Sequence, residues 1–139
     1  MRIGFLSLLN PFDVKYWSGT LFYLTKQLSN HQICWYGKGV LDQLYAYRPI
    51  KSAVFCLEQY ADLLGEIMSE GLKRNDIDIL IVRDSSLVAG IDVPFPIIFI
   101  GDTTFNGMKD YFGTNDENLC KMIDKVEKSC LKNTSLIMK

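Results

Sequence analysis

Short apolar runs alternate along the chain with longer segments in which apolar residues recur every three or four positions. Five β-strands are predicted from the runs, at residues 3–9, 32–36, 79–82, 97–100 and 134–138. The third run, ILIV, is continuously apolar, which is typical of a strand buried on both faces of a parallel sheet. The pattern therefore favours buried strands that alternate with amphipathic helices.

Three helices are predicted from the helical spacing of the remaining apolar residues. The first begins with Ser18 as its N-cap and ends at Asn30, and the second spans about residues 52–74. The last begins with a capping box, in which Glu117 follows Thr114 by three positions. Strands joined by helices form a parallel sheet covered on both sides. We therefore predict an α/β fold, a Rossmann-like parallel sheet flanked by helices on both faces, as a single domain over residues 1–139.

Composition and charge exclude several classes of function. The chain is 48% hydrophobic with a net charge of −1, so it is expected to fold, and no basic patch indicates a nucleic-acid partner. No window approaches the ~18 apolar residues that a membrane span needs. The apolar N-terminus is predicted to be a strand rather than a signal peptide, because no small-residue cleavage pattern follows it. We expect a cytoplasmic protein without a transmembrane segment.

The four cysteines indicate reduced, buried thiols rather than a metal site. Cys34, Cys56, Cys120 and Cys130 form no CxxC pair, and each lies among apolar residues. The one histidine of the sequence, His31, has no second ligand at a zinc-binding spacing. We therefore expect no bound metal.

Polar segments follow three of the predicted strands, at residues 10–20, 83–86 and 101–105. The carboxyl ends of parallel strands meet at one edge of the sheet, and ligands of such sheets bind there. We therefore expect the three segments to converge on one cleft. Gly19 lies in the first of them and, having no Cβ, would let a ligand approach the backbone closely.

Asp102 is the candidate catalytic residue, because it directly follows the fourth predicted strand. Its carboxylate could act as a general base toward an acceptor hydroxyl, or could stabilise developing positive charge. The alternative is a turn aspartate that accepts hydrogen bonds from the backbone N–H groups of Thr104 or Phe105. The sequence leaves both interpretations open.

Two further groups of residues are candidates for binding ligands. A phosphate could be cradled by Ser18, Gly19 and Thr20 at the start of the first helix, although the same residues could form an ordinary cap. Trp17 and Phe105 could offer aromatic faces to a sugar, or they could pack against the core or its rim.

The segment after the third strand supplies a cation and hydroxyl groups. Arg83 could hold a phosphate or carboxylate with two parallel hydrogen bonds. It could equally pair with Asp84 or Asp102. Ser85 follows in the same segment and is a further candidate for contact with a substrate.

Several stretches together resemble the N-terminal domain of a GT-B glycosyltransferase of family four, the glycosyl transferases group 1. They are residues 2–7 (RIGFLS), residues 10–20 (ending in WSGT), residues 76–81 (DIDILI) with Ser85 and Ser86 following, and residues 96–105 (PIIFIGDTTF) with Met108 and Tyr111 after them. Their order and spacing match the family over nearly the whole chain.

The resemblance implies a function as well as a fold. Family members bind a hydroxyl acceptor in this domain and close it over a second, C-terminal Rossmann-like domain that holds the nucleotide-sugar donor. They transfer the sugar with retention of configuration, need no divalent metal, and use the nucleotide-sugar as a co-substrate rather than a cofactor. The donor domain is absent from this chain, so we expect the chain alone to be inactive.

The resemblance also implies roles for individual residues. Asp102 would occupy the catalytic position, where many relatives have a histidine, and the Gly19 loop would approach the donor phosphates, where many relatives have two glycines. Trp17 and Phe105 would border the acceptor, and Arg83 and Ser85 stay further candidates for contact with the substrate. The competing hypothesis is a stand-alone, non-catalytic Rossmann-like module that binds a nucleotide, a sugar or another protein.

Overall fold

The computed structural model describes residues 1–37, 58–104 and 116–138, together with Gly107 and Gly113. Within these residues it has the strands β1 (Arg2–Leu6), β2 (Gln32–Tyr36), β3 (Ile79–Val82), β4 (Ile97–Ile100) and β5 (Leu136–Met138). The helices there are α1 (Thr20–Gln27), α2 (Glu58–Lys73), α3 (Ser85–Val88) and α4 (Glu117–Asn133), and a tight turn at Trp17–Gly19 precedes α1. The predicted start of the second helix, at residues 52–57, lies outside the described residues.

The five described strands are parallel and form one sheet in the order β2-β1-β3-β4-β5. From β1 the chain moves to one side of the sheet, and from β3 onward it moves to the other side. The strand order therefore reverses between β1 and β3, and open α/β sheets bind ligands at such a switch point, beyond the carboxyl ends of the strands. The predicted α/β, Rossmann-like fold is confirmed.

Helices cover both faces of the sheet because successive strand residues point to opposite sides. On one face Leu6, Leu80 and Val82 pack beneath helical residues of α2, α3 and α4, among them Leu64, Leu72, Leu87 and Cys130. On the other face α1 supplies Leu21, which packs against Ile3, Phe5 and Ile81.

β1 ends three residues earlier than predicted. The reason is that the N–H groups of Leu8 and Leu9, which were predicted to lie in the strand, bond to side chains. The ladder stops where the N–H of Ser7 donates to the carbonyl of Tyr36 at 3.1 Å. The next two N–H groups turn away from the sheet: Leu8 donates to the carboxylate of Asp84 at 3.0 Å, and Leu9 donates to the hydroxyl of Ser7 at 3.1 Å. The chain therefore leaves the sheet at Ser7.

The predicted N-cap at Ser18 is wrong. Ser18 has φ 52°, Gly19 with φ 78° occupies the N-cap position of α1, and no side chain caps the helix. The left-handed turn displaces the cap by one residue, onto a glycine that has no side chain to accept a hydrogen bond from the first N–H groups of the helix. The N-cap of α4 is Asp116, whose carboxylate accepts from the N–H of Asn118 at 3.0 Å. Thr114, predicted for this role, lies outside the described residues.

α3 is held between its two neighbouring helices by very close contacts. A Cβ built on Gly65 of α2 would lie 2.1 Å from the carbonyl carbon of Gly90, just beyond the end of α3. From the other side, the amide of Asn133 in α4 donates to the carbonyls of Val88 and Ala89 at 3.2 and 2.8 Å. The short helix after β3 is thus fixed by tertiary contacts.

The prediction of buried cysteines is confirmed for Cys130, whereas Cys34 and Cys120 are half-buried. Cys34 and Cys130 have free thiols, and Cys56 lies outside the described residues. Cys130 is completely buried, and this burial raises the pKa of its thiol to about 12. Its thiol therefore stays protonated and unreactive near neutral pH.

The glycine contact between α2 and the end of α3 predicts opposite effects for two identical substitutions. Gly65→Ala should lower the free energy of unfolding by about 2–3 kcal/mol, because the new methyl group overlaps the backbone of Gly90. Gly71→Ala, in the same helix, is the matched control: its Cβ would meet nothing within 4 Å. The control should raise the free energy of unfolding by about 0.5–1 kcal/mol through helix propensity.

Urea-induced unfolding followed by circular dichroism measures both variants. A Gly65→Ala protein as stable as the Gly71→Ala protein would contradict the close approach of the two backbones.

Candidate functional site

A cleft of about 200 Å³ opens at the carboxyl ends of β3 and β4, beside the segment that follows β1. The sheet register explains its position, because Leu6, Val82 and Phe99 lie side by side near the ends of the three strands. The segments that the sequence predicts to converge therefore do so. The described residues that line the cleft are Trp17, Arg83, Asp84, Ser85, Ser86, Phe99, Ile100, Gly101, Asp102, Thr103 and Glu127.

Asp84 joins the ends of β1 and β3 at the base of the cleft. One carboxylate oxygen accepts the backbone N–H of Leu8 at 3.0 Å, and the other accepts Nη1 of Arg83 at 2.8 Å. The Asp84 side chain is only 11% exposed, so water competes little for either bond. Sequence analysis treated Asp84 only as a partner for Arg83 and missed its bond to Leu8. The available signal was an aspartate two residues after the end of a buried strand.

The loop after β1 is also held from β2. The indole Nε1 of Trp35 donates to the carbonyl of Ser7 at 2.9 Å. Gly37, with φ 123°, packs so closely that a Cβ would lie 2.2 Å from the same carbonyl oxygen. Only glycine fits that position, because it accepts both the close contact and the positive φ. The backbone at Ser7 and Leu8 is therefore fixed from both neighbouring strands.

Arg83 is restrained by two neighbours inside the cleft. Its guanidinium carbon lies 4.9 Å from the ring centroid of Trp17, a cation–π distance, and Nη1 pairs with Asp84. The pairing of Arg83 with Asp84, which the sequence left open, is thus present. One face of the Trp17 ring is turned to Arg83, and the ring also packs against the core cluster of Ile3 and Phe5. In the cleft, Trp17 therefore makes a cation–π contact with the guanidinium of Arg83.

The backbone is left-handed over three consecutive residues that begin with Trp17. Trp17, Ser18 and Gly19 have φ angles of 48°, 52° and 78°. This conformation costs an L-residue other than glycine about 1–2 kcal/mol, so the surrounding packing must hold it in place. The turn places the Trp17 ring under the guanidinium of Arg83.

The predicted phosphate cradle lies beside the cleft rather than in its described lining. The N–H of Gly19 donates to the carbonyl of Tyr16 at 2.9 Å, and the N–H of Thr20 donates to the carbonyl of Trp17. Ser18 and Thr20 are exposed, whereas Gly19 is buried. Contact of this turn with the phosphates of a donor stays a prediction, and it would be made by hydroxyl groups more readily than by these two N–H groups.

Asp102 lies exposed at the rim of the cleft. Its Oδ1 accepts the backbone N–H of Thr103 at 3.0 Å. The turn interpretation predicted bonds from Thr104 or Phe105 instead. Thr104 has a different local bond, in which its hydroxyl accepts the N–H of Gly107 at 3.2 Å. Phe105 lies outside the described residues, so its predicted contact with the substrate stays a prediction.

The described lining of the cleft carries more negative than positive charge. The lining includes the guanidinium of Arg83 and the carboxylates of Asp84, Asp102 and Glu127. The pair between Arg83 and Asp84 already compensates the positive charge locally. The hydroxyls of Ser85 and Ser86 add groups that both donate and accept hydrogen bonds.

Neither a membrane-crossing helix nor a metal-binding cluster is found in the described part of the chain. No helix there combines the length and apolar character that a bilayer requires. In the same residues, no three His, Cys, Asp or Glu side chains come together as they would around a metal ion.

Comparisons with protein-family models, with curated proteins and with solved structures find no match to this chain. The likeness to GT-B glycosyltransferases therefore depends on the sequence stretches quoted above. The fold stands on the structure itself.

The two hydrogen bonds that Asp84 accepts predict that its substitution lowers stability, whereas substitution of a surface aspartate does not. Asp84→Ala should lower the free energy of unfolding by about 1–3 kcal/mol, because the part-buried N–H of Leu8 loses its acceptor and Arg83 its partner. Asp92→Ala is the control, since Asp92 pairs with Lys73 but its side chain is 90% exposed. That variant should stay within about 0.5 kcal/mol of the parent.

Urea unfolding followed by tryptophan fluorescence suits this comparison, because Trp17 and Trp35, the two tryptophans of the chain, both lie in this network. Similar midpoints for the two variants would show that Asp84 does not hold the site together.

Proposed function

We propose that the cleft binds the hydroxyl acceptor of a retaining, nucleotide-sugar-dependent glycosyltransferase, of which this chain is the acceptor-binding half. One observation carries the proposal: Trp17, Arg83, Ser85 and Asp102, from segments far apart in the sequence, line a single cleft at the carboxyl ends of β3 and β4, beside the switch point of the sheet. Polar groups that converge at such an edge are the usual setting of a ligand site in this class of fold.

The chemistry of the lining suits a ligand rich in hydroxyl groups. Ser85 can donate to one hydroxyl and accept from another, and the fixed guanidinium of Arg83 offers further N–H donors beyond the bond from Nη1 to Asp84. The carboxylate of Asp102 would accept a hydrogen bond from the reacting hydroxyl. In the transfer step it would act as a general base toward that hydroxyl, or stabilise positive charge developing on the sugar.

The size of the cleft supports an acceptor site rather than a complete active site. Its volume of about 200 Å³ is below the roughly 300–1,000 Å³ of pockets for larger organic ligands. A nucleotide-sugar would therefore need a further surface, which the proposal assigns to a C-terminal donor domain. The exposed hydroxyls of Ser18 and Thr20 beside the cleft would then face the donor phosphates.

The proposal includes a cytoplasmic location. The free thiols of Cys34 and Cys130 support it, since such thiols are typical of a reducing compartment.

A second function has its own support, namely a stand-alone module that binds a ligand without chemistry. The carboxylate of Asp102 already accepts the N–H of Thr103, and the guanidinium of Arg83 is already paired. The two functions differ in what the gene encodes: a reading frame that continues through a second α/β unit favours the transferase. Asp102→Ala in that longer protein should then abolish most turnover, and unchanged turnover would make Asp102 a turn residue.

For the 139-residue chain itself, we predict weak sugar binding without transfer. Titration with glucose should shift backbone amide NMR signals of residues 83–86 and 101–103. Asp102→Ala should weaken binding by about tenfold or more, through loss of a hydrogen bond to a charged acceptor. Asp62→Ala, an exposed residue of α2 outside the cleft lining, is the matched control.

Signal shifts that cluster elsewhere on the molecule would contradict the assignment of the cleft. Measurable turnover of a nucleotide-sugar by this chain alone would contradict the need for a second domain.

A further inference from the structure

The ion pair inside the cleft makes it a poor site for an anion. The carboxylate of Asp84 is bonded to the guanidinium of Arg83 on one oxygen and to the N–H of Leu8 on the other. A phosphate that approached Arg83 would have to displace this carboxylate or share the guanidinium with it. Displacement would also free the N–H of Leu8, which lies in a part-buried position.

The remaining charges of the described lining act in the same direction. Asp102 lies at the rim, and Glu127 of α4 lines the cleft as well. An anionic ligand would therefore meet the carboxylate of Asp102 besides that of Asp84, whereas an ammonium group would be attracted by it. Like charges brought together in a partly enclosed cleft repel each other more strongly than in open water.

We infer that the cleft selects its hydroxylated ligand by charge: it takes uncharged or amino-bearing sugars and rejects phosphorylated ones. This inference rests on the proposed function, because it specifies the acceptor that the same site would bind. The restrained guanidinium serves as a hydrogen-bond donor to hydroxyl groups, and its positive charge is compensated by Asp84.

Three probes that share the glucose ring test the role of charge: glucose, glucosamine and glucose 6-phosphate. The affinity of each for the 139-residue chain is measured by NMR titration, at a mildly acidic pH that keeps the amine protonated. We expect glucosamine to bind about threefold to tenfold more tightly than glucose, and glucose 6-phosphate more weakly than glucose by a similar factor. Raising the ionic strength from about 0.02 M to about 0.5 M should reduce both differences through screening.

Asp102→Asn tests the source of the selectivity, because it removes one charge with little change of shape. We expect Asp102→Asn to weaken glucosamine binding and to strengthen glucose 6-phosphate binding. The differences among the three affinities should therefore become smaller. Asp76→Asn is the matched control: it changes the net charge equally, but Asp76 precedes the amino end of β3, at the sheet edge opposite the cleft. The control should keep the parental order of affinities.

The outcomes separate the inference from the proposed function. Glucose 6-phosphate binding as tightly as glucose would overturn the charge selectivity and leave the sugar site standing. An Asp102→Asn protein with the parental selectivity would also overturn it, since the rim carboxylate would then have no part in it. If none of the three sugars binds, the proposed function fails, and the inference fails with it.

Discussion

The geometry of the site depends on the two hydrogen bonds that the carboxylate of Asp84 accepts. This carboxylate links the backbone of Leu8 to the end of β3 across a sequence separation of 76 residues. The same carboxylate orients Arg83, whose guanidinium lies over the ring of Trp17. Because the side chain is largely withdrawn from water, both bonds are stronger than they would be at the surface. Asp84 thus sets the distance between the ends of β1 and β3 and the orientation of the Arg83 guanidinium.

The wall of the cleft beside Asp84 is formed by α3, which its neighbouring helices hold in place. Ser85 and Ser86 lie in α3, a helix of four residues that is too short to be stable by its own hydrogen bonds. The glycine contact with α2 and the amide of Asn133 from α4 hold it instead. The left-handed turn at Trp17–Gly19 is a second strained element whose geometry the packing must maintain. The two elements meet at the cleft from opposite sides of the switch point.

Sequence patterns predicted the buried interior more accurately than its edges. The bounds of β2, β3 and β4 match the predicted residues, since a short apolar run that begins and ends beside polar, Gly or Pro residues is typical of a strand. β1 was predicted too long, because the apolar Leu8 and Leu9 continue the pattern while their N–H groups bond to side chains. Ser18 was placed as an N-cap on residue type alone, and the left-handed backbone that displaces the cap has no signature in the sequence.

The sequence by itself determined the α/β class and which three segments meet at one edge, because hydrophobic periodicity and parallel strand direction are local properties that add up along the chain. Only the tertiary structure decided how the side chains at that edge are paired. Arg83 pairs with its sequence neighbour Asp84, whose carboxylate is held by the N–H of Leu8, 76 residues away. Whether the face of Trp17 is open or turned to a cation likewise depends on its contact with Arg83, which is far away in the sequence. Such contacts form at distances of a few ångströms, and they depend on the exact backbone path that packing imposes, which no local pattern of residues encodes.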